Sequence, residues 1–225
     1  MPKLPAPPPP VSLPEDVTFA HEALYDAVVA SLEESSDLAH DLLHVERVYA
    51  WALRIAHATG ADLDISGAAA LLHDLVEVPK ESSARAEASA RSAAASTPLL
   101  RAAGYDAAAQ EAITNAIRSC SWSRGEAPET PEAAALQDAD RLDAIGAVGI
   151  ARTFTTAQAM ASRGHPLALY SRHDPLAKDR PAEDKAYAVD HFRRKLLTLA
   201  AGMHTDLGRQ EAARRHALME AFLAP

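Results

Sequence analysis

From Asp16 onward, apolar residues return every three or four positions, with Val17, Ala20, Leu24, Ala27, Val28 and Leu32 on one side. This period predicts an amphipathic helix that fades in the polar stretch Glu33 to Ser36. A second helix is predicted from Leu38 to Ala58, with Leu43, Val48, Trp51, Ile55 and Ala58 on its apolar side and Gly60 placed to end it in a left-handed cap. A third covers Asp64 to Val78, stopped by Pro79, and a fourth covers Ser83 to Ala95 before Thr97-Pro98 interrupts it. The fifth begins at Asp106 and fades after Ile117. A long helix then runs from Glu132 towards Ala161, and two more, Glu183 to Ala201 and Asp206 to Leu223, finish the chain. The segment SCSWSRGEAPETP and the residues from Gly164 to Pro181 carry Gly, Pro and small polar residues and read as two long loops, long enough for a functional role. No strand period and no internal repeat stands out, so the expected fold is all-α.

Composition narrows the setting. The 225 residues are 48% hydrophobic and 24% charged, which excludes wholesale disorder, while 5% aromatic residues and nine glycines argue against a β-sandwich or barrel. A chain of this length can bury a core without covalent staples, and a single cysteine, Cys120, cannot form an internal disulfide, so a cytoplasmic location is expected. Seven of the fifteen prolines fall between Pro2 and Pro14, which predicts a disordered, proline-rich tail over residues 1–14 and one domain over residues 15–225. The opening residues lack the apolar core of a signal peptide, and no later stretch reaches the length of a membrane span. A net charge of -9 opposes nonspecific attachment to nucleic acid or anionic membranes, so binding of a phosphate group must rest on a few placed cations.

Three segments put ionisable residues where the pattern expects apolar ones. In AAALLHDLV, His73 and Asp74 interrupt a helix that must be buried nearly all round, and an ionised Asp74 there needs a salt bridge, capping donors or a cation. In LQDADRLDAIGAVGIA, three Asp and Arg141 interrupt another apolar helix. Asp138 and Asp140 are about 200° apart around a helix, so both cannot aim at one ion, and an internal Asp–Arg network is an equal alternative. In HDLLHVERV, His40, Asp41, His44 and Arg47 fall at spacings that share one helix side; Asp41 or His40 can also serve as a cap, whereas His44 is too deep in the helix to do so.

Taken together, His44, His73-Asp74 and Asp140 resemble the His, His-Asp and distant Asp of the HD-domain superfamily of metal-dependent phosphohydrolases. HDLLHVERV, LLHDLVEVPK, LQDADRLDAIGAVGIARTF, RPAEDKAYAVDHFRRKLLTLA and RRHALMEAFL are similar to its bacterial YedJ- and YpgQ-like branch, from Asp37 to Leu223. The resemblance implies a single all-α bundle with a metal site between its helices, in which His44, His73, Asp74 and Asp140 are the ligands. It supports Asp140 over Asp138. Cys120 in SCSWSR stands where those relatives usually carry His; its side chain reads first as a small packed residue, with a reactive thiol as the alternative.

Two imidazoles and two carboxylates suit a divalent ion of intermediate hardness, with Mn²⁺ first and Ni²⁺, Co²⁺, Fe²⁺, Zn²⁺ or Mg²⁺ as alternatives. The resemblance further implies hydrolysis of a small-molecule nucleotide, specifically a nucleoside triphosphate to its monophosphate and pyrophosphate. Alternatives are a nucleoside monophosphate phosphatase and a metal- and nucleotide-binding protein without turnover. Asp74 and Glu77 are the candidate catalytic residues, since Glu77 follows His73 by four positions and Asp74 by three, placing it on their helix face; a surface glutamate is the alternative. Arg47, Lys80, Arg124 and Arg141 are the candidate phosphate-binding cations, each of which taken alone reads first as a solvated charge and gains weight only from its place beside the proposed ligands.

Overall fold

The computed structural model describes residues 11–32, 38–76, 78 and 82–224. Nine α-helices are present among them: α1 Glu15–Leu32, α2 Leu42–Thr59, α3 Leu63–Leu72, α4 Ala88–Ala102, α5 Ala107–Ser119, α6 Pro131–Asp143, α7 Gly146–Ser162, α8 Asp190–Arg194 and α9 Asp206–Phe222. Tight 3₁₀ turns add Ser83–Glu87, Trp122–Arg124 and Leu196–Gly202. Among the described residues there is no strand, only an isolated bridge between Ala168 and Tyr187, and the fold is all-α. Among the described residues no helix is long and apolar enough to cross a membrane. The expected tail falls mainly on residues 1–10, outside the described residues, and the expected stops at Glu33 to Ser36 and at Pro79 also lie outside them.

The chain divides into two compact units. One comprises residues 1–35 and 40–140, the other residues 36–39 and 141–225. In the first, α3 packs against α1, α2, α4 and α5. Its middle reads Ser66, Gly67, Ala68, Ala69, Ala70, all buried, and these small side chains let neighbouring helices approach from several sides. One close approach has a visible cause. A Cβ at Gly67 would land on the His21 ring, and that ring ties α1 to its neighbours. Its Nε2 faces both the carbonyl and the carboxylate of Asp64 at 3.1 Å, so the proton belongs there, and Nδ1 accepts from the Tyr49 hydroxyl at 2.8 Å. Burial pushes the Tyr49 phenol up to about 12, so it stays a neutral donor.

The second unit is organised around Phe154 of α7, Phe192 of α8 and Phe222 of α9, whose ring centroids lie 5.6–6.2 Å apart. A buried carboxylate fixes the approach to α8. Asp190 is 1% exposed and accepts from the Arg180 guanidinium at 2.8 Å and from the Glu183 amide at 2.7 Å. Burial alone would push its carboxyl up, but the Arg180 hydrogen bonds and the Glu183 amide outweigh that and hold it below the ordinary carboxylate value.

Several expected helices end differently. α3 stops at Leu72 instead of Val78, so His73 is its cap and Asp74 lies in the turn beyond. α4 runs through Pro98 to Ala102: proline removes a single helical hydrogen bond there, and the helix continues against α5. The long helix from Glu132 is two, broken at Ala144-Ile145, because Gly146 turns left-handed with φ 78° and Arg215 packs against it. Most of the helix expected from Glu183 to Ala201 is irregular or 3₁₀, since the Ala188 and Val189 amides bond to the carbonyls of Ala168 and Leu169, at 2.9 Å and 3.1 Å, and not to the preceding turn.

Two outcomes follow for stability. Gly67→Ala forces His21 out of its place and costs about 1–3 kcal/mol by chemical denaturation; combined with His21→Ala, the loss is smaller than the sum of the two single changes. Asp190→Asn costs about 2–3 kcal/mol at pH 7. Because the folded carboxyl titrates below its unfolded value, its contribution is fully present above about pH 4 and is lost as pH falls through the lower folded value. The gap between wild type and Asp190→Asn therefore closes under acid, as read by unfolding midpoints measured across that range.

Candidate metal centre

The first donor depends on how α2 begins. Asp41, extended at ψ 178°, is the N-cap and accepts from the backbone N–H of His44 at 2.9 Å. His44 thus sits in the first turn, fully buried and turned inward. The second donor sits at the end of α3. His73, 3% exposed, directs Nδ1 to the carbonyl of Ala70 at 2.8 Å. A carbonyl only accepts, so Nδ1 carries a proton, and Nε2 is left facing the interior to carry either a second proton or a metal. Asp74 follows in the turn, and Asp140 projects from α6.

These side chains meet. His44 Nε2 is 3.3 Å from His73 Nε2, and Asp74 Oδ2 lies 3.6 Å and 3.8 Å from the two rings. Asp140 Oδ1 lies 3.9 Å from His44 and 4.0 Å from His73. Donors about 2.0–2.2 Å from one ion sit roughly 3 Å apart when adjacent and roughly 4.2 Å apart when opposite, so these separations fit a shared divalent cation. Among the described residues, His44, His73 and Asp140 form a group able to hold a metal, with donor atoms all within 4.8 Å of one another. The imidazoles are at most 2% exposed, the Asp74 and Asp140 side chains 28% and 33%, so the carboxylates occupy the solvent side. Burial opposes the charge on Asp74, but His73, His44 and the more distant His40 outweigh it and hold the carboxyl well below the usual range. An anion in this place suits a bound cation.

The remaining candidates are distributed as follows. Arg47 is half-buried on α2, three residues after His44. Arg124, in the 3₁₀ turn after α5, gives Nε to Glu126 at 2.8 Å, so a phosphate there competes with a carboxylate. Arg141 is 7% exposed and donates to the Gly202 carbonyl and the His204 ring at 2.7 Å, inside the second unit. Glu77 and Lys80 lie outside the described residues. The Asp-rich segment serves more than one purpose: Asp140 belongs to the cluster, Asp138 is fully buried, and Asp143 pairs with Arg152 at 2.7 Å, an internal Asp–Arg contact. The pattern of apolar positions did not reveal that the His40 ring stands edge-on to His44 with centroids 6.0 Å apart, or that Cys120 Sγ lies 4.0 Å from Asp140 Oδ2. His40 was visible as part of the His-Asp pair, whereas the Cys120 contact spans twenty residues and leaves no local trace.

Comparison with known proteins agrees with this geometry. The HD domain family matches residues 42–145. YpgQ of Bacillus subtilis, an uncharacterized protein, is 37% identical over 199 residues, which span 87% of this chain and 86% of that one. The crystal structure of Bacillus subtilis YpgQ in complex with ADP superposes with a TM-score of 0.69 at 31% identity over 92% of this chain and 93% of its own. A protein from Lactobacillus plantarum gives 0.73 at 29% identity, covering 94% and 95%, and an HD-superfamily hydrolase from Bacillus thuringiensis gives 0.66 at 28%, covering 92% and 94%. With its buried histidines and half-open carboxylates drawn from three stretches of chain, this protein belongs to the HD-domain family, alongside YpgQ and the HD-superfamily hydrolases.

Proposed function

We propose that the protein is a divalent-metal-dependent phosphohydrolase that converts a nucleoside triphosphate to its monophosphate and pyrophosphate. One observation carries the reading: two inward-facing imidazoles whose Nε2 atoms lie 3.3 Å apart, with an oxygen of each of two carboxylates 3.6–4.0 Å from both rings, at the margin between interior and solvent. The ADP held by YpgQ supports a nucleotide as the substrate class.

His44, His73, Asp74 and Asp140 would hold the ion, with Mn²⁺ the first expectation. When bound, such an ion polarises a phosphoryl oxygen and makes a water more acidic. The two carboxylates cancel its charge, and their partial exposure leaves the solvent side open to a phosphate. Asp74, held ionised by its histidines, can accept a hydrogen bond from an attacking water and orient it. Glu77 is the further candidate for proton transfer. Arg47 and Lys80 are the first choices for holding the phosphates that do not react, because they follow closely on the segments bearing His44 and His73-Asp74. Arg124 and Arg141 would each have to be shared with the partners described above.

Purified protein incubated with Mn²⁺ and a panel of nucleoside mono-, di- and triphosphates should release pyrophosphate from triphosphates. Release of inorganic phosphate from monophosphates alone would replace this reading with a nucleotidase, and saturable binding without any product would replace it with a nucleotide-binding protein. Chelation should abolish turnover and Mn²⁺ restore it. His73→Ala should lower kcat/KM by about 10²-fold or more, with the helical circular dichroism unchanged.

A further inference from the structure

The Asp140 carboxylate divides its two oxygens between different partners. Oδ1 lies 3.9 Å and 4.0 Å from the imidazoles of His44 and His73, whereas Oδ2 lies 4.0 Å from the thiol sulfur of Cys120. That distance is at the long end for a thiol donor, but the arrangement is built. Cys120 is 5% exposed and sits at the end of α5, where its backbone N–H bonds to the Ile117 carbonyl at 3.1 Å. Three residues before Asp140, on the same face of α6, the fully buried Gln137 donates to the Ser119 carbonyl at 2.7 Å and reaches the Glu126 carbonyl at 3.3 Å. One face of α6 therefore grips the chain next to Cys120 through Gln137 and meets the Cys120 side chain through Asp140.

A carboxylate beside a divalent ion can bind through one oxygen or through both, and the choice alters the geometry available to the remaining ligands. We propose that Cys120 is a positioning residue for the metal centre: its S–H, directed at Oδ2, holds the Asp140 carboxylate so that Oδ1 alone is presented between the two imidazoles. The thiol acts through Asp140 and is not itself a ligand. This rests on the metal-centre reading given above, and the two are separable by experiment.

The test uses the full chain, freed of metal and titrated with Mn²⁺ by calorimetry, with the visible absorption of Co²⁺ as a second readout of coordination. Cys120→Ala, which keeps a small side chain and removes the donor, is expected to weaken Mn²⁺ binding by about 10- to 100-fold and to change the Co²⁺ spectrum, while the metal-free thermal midpoint stays close to that of wild type. Cys120→Ser, which keeps a donor, is expected to bind Mn²⁺ within about threefold of wild type. If Cys120→Ala fails to fold, Cys120→Val is read in its place against the same expectation. Unchanged Mn²⁺ affinity and an unchanged Co²⁺ spectrum in Cys120→Ala overturn the proposal, as does a Cys120→Ser protein that loses as much affinity as Cys120→Ala, since packing would then be the cause. A wild-type chain that binds neither ion removes the metal centre itself.

Discussion

The first unit depends on keeping two imidazoles 3.3 Å apart, with each of two carboxylates within 4.0 Å of both rings, beside an apolar interior. Left alone, such a group is costly, because ionised carboxylates lose hydration and imidazoles lose hydrogen-bonding water. Mutual attraction lowers part of that cost, as the depressed titration of Asp74 shows. A divalent cation would lower it further, and would make metal binding and folding stability two measures of one interaction. The small residues of α3 make the arrangement sterically possible, since bulkier side chains at Ala68 to Ala70 would hold the neighbouring helices apart.

Much of this was legible in the sequence because ionisable residues in apolar helices stand out against a regular background. The all-α class, the start of α1, the left-handed cap at Gly60 and the limits of α9 all follow from local periodicity and capping. Local rules fail where a distant partner decides. The Glu183 region has helical periodicity, yet the Ala188 and Val189 amides bond to the carbonyls of Ala168 and Leu169, and the apparent helix dissolves into turns. Pro98 argues for a helix end, yet packing of α4 on α5 carries the helix past it.

The segment from Gln137 to Asp143 illustrates the same point more finely. Spacing alone established that Asp138 and Asp140 cannot share one target, but not which aspartate goes where. The resolution comes from contacts far away in sequence. Asp140 points to residues of α2 and the end of α3, while Asp143 is claimed by Arg152 of α7. Gln137, which has no unusual sequence signal, closes the loop after α5 from inside the same helix.

The contact between Gly67 and the His21 ring carries a consequence for how this chain can change over generations. A side chain at position 67 is admissible only when position 21 gives up its imidazole, and losing that imidazole strands the Tyr49 hydroxyl and leaves the Asp64 carboxylate to Tyr105 alone among the side chains it meets. The four positions are thus tied into one inheritance unit: among descendants of this sequence, glycine and histidine should be kept together or exchanged together, with tyrosine and aspartate drifting only after both have gone.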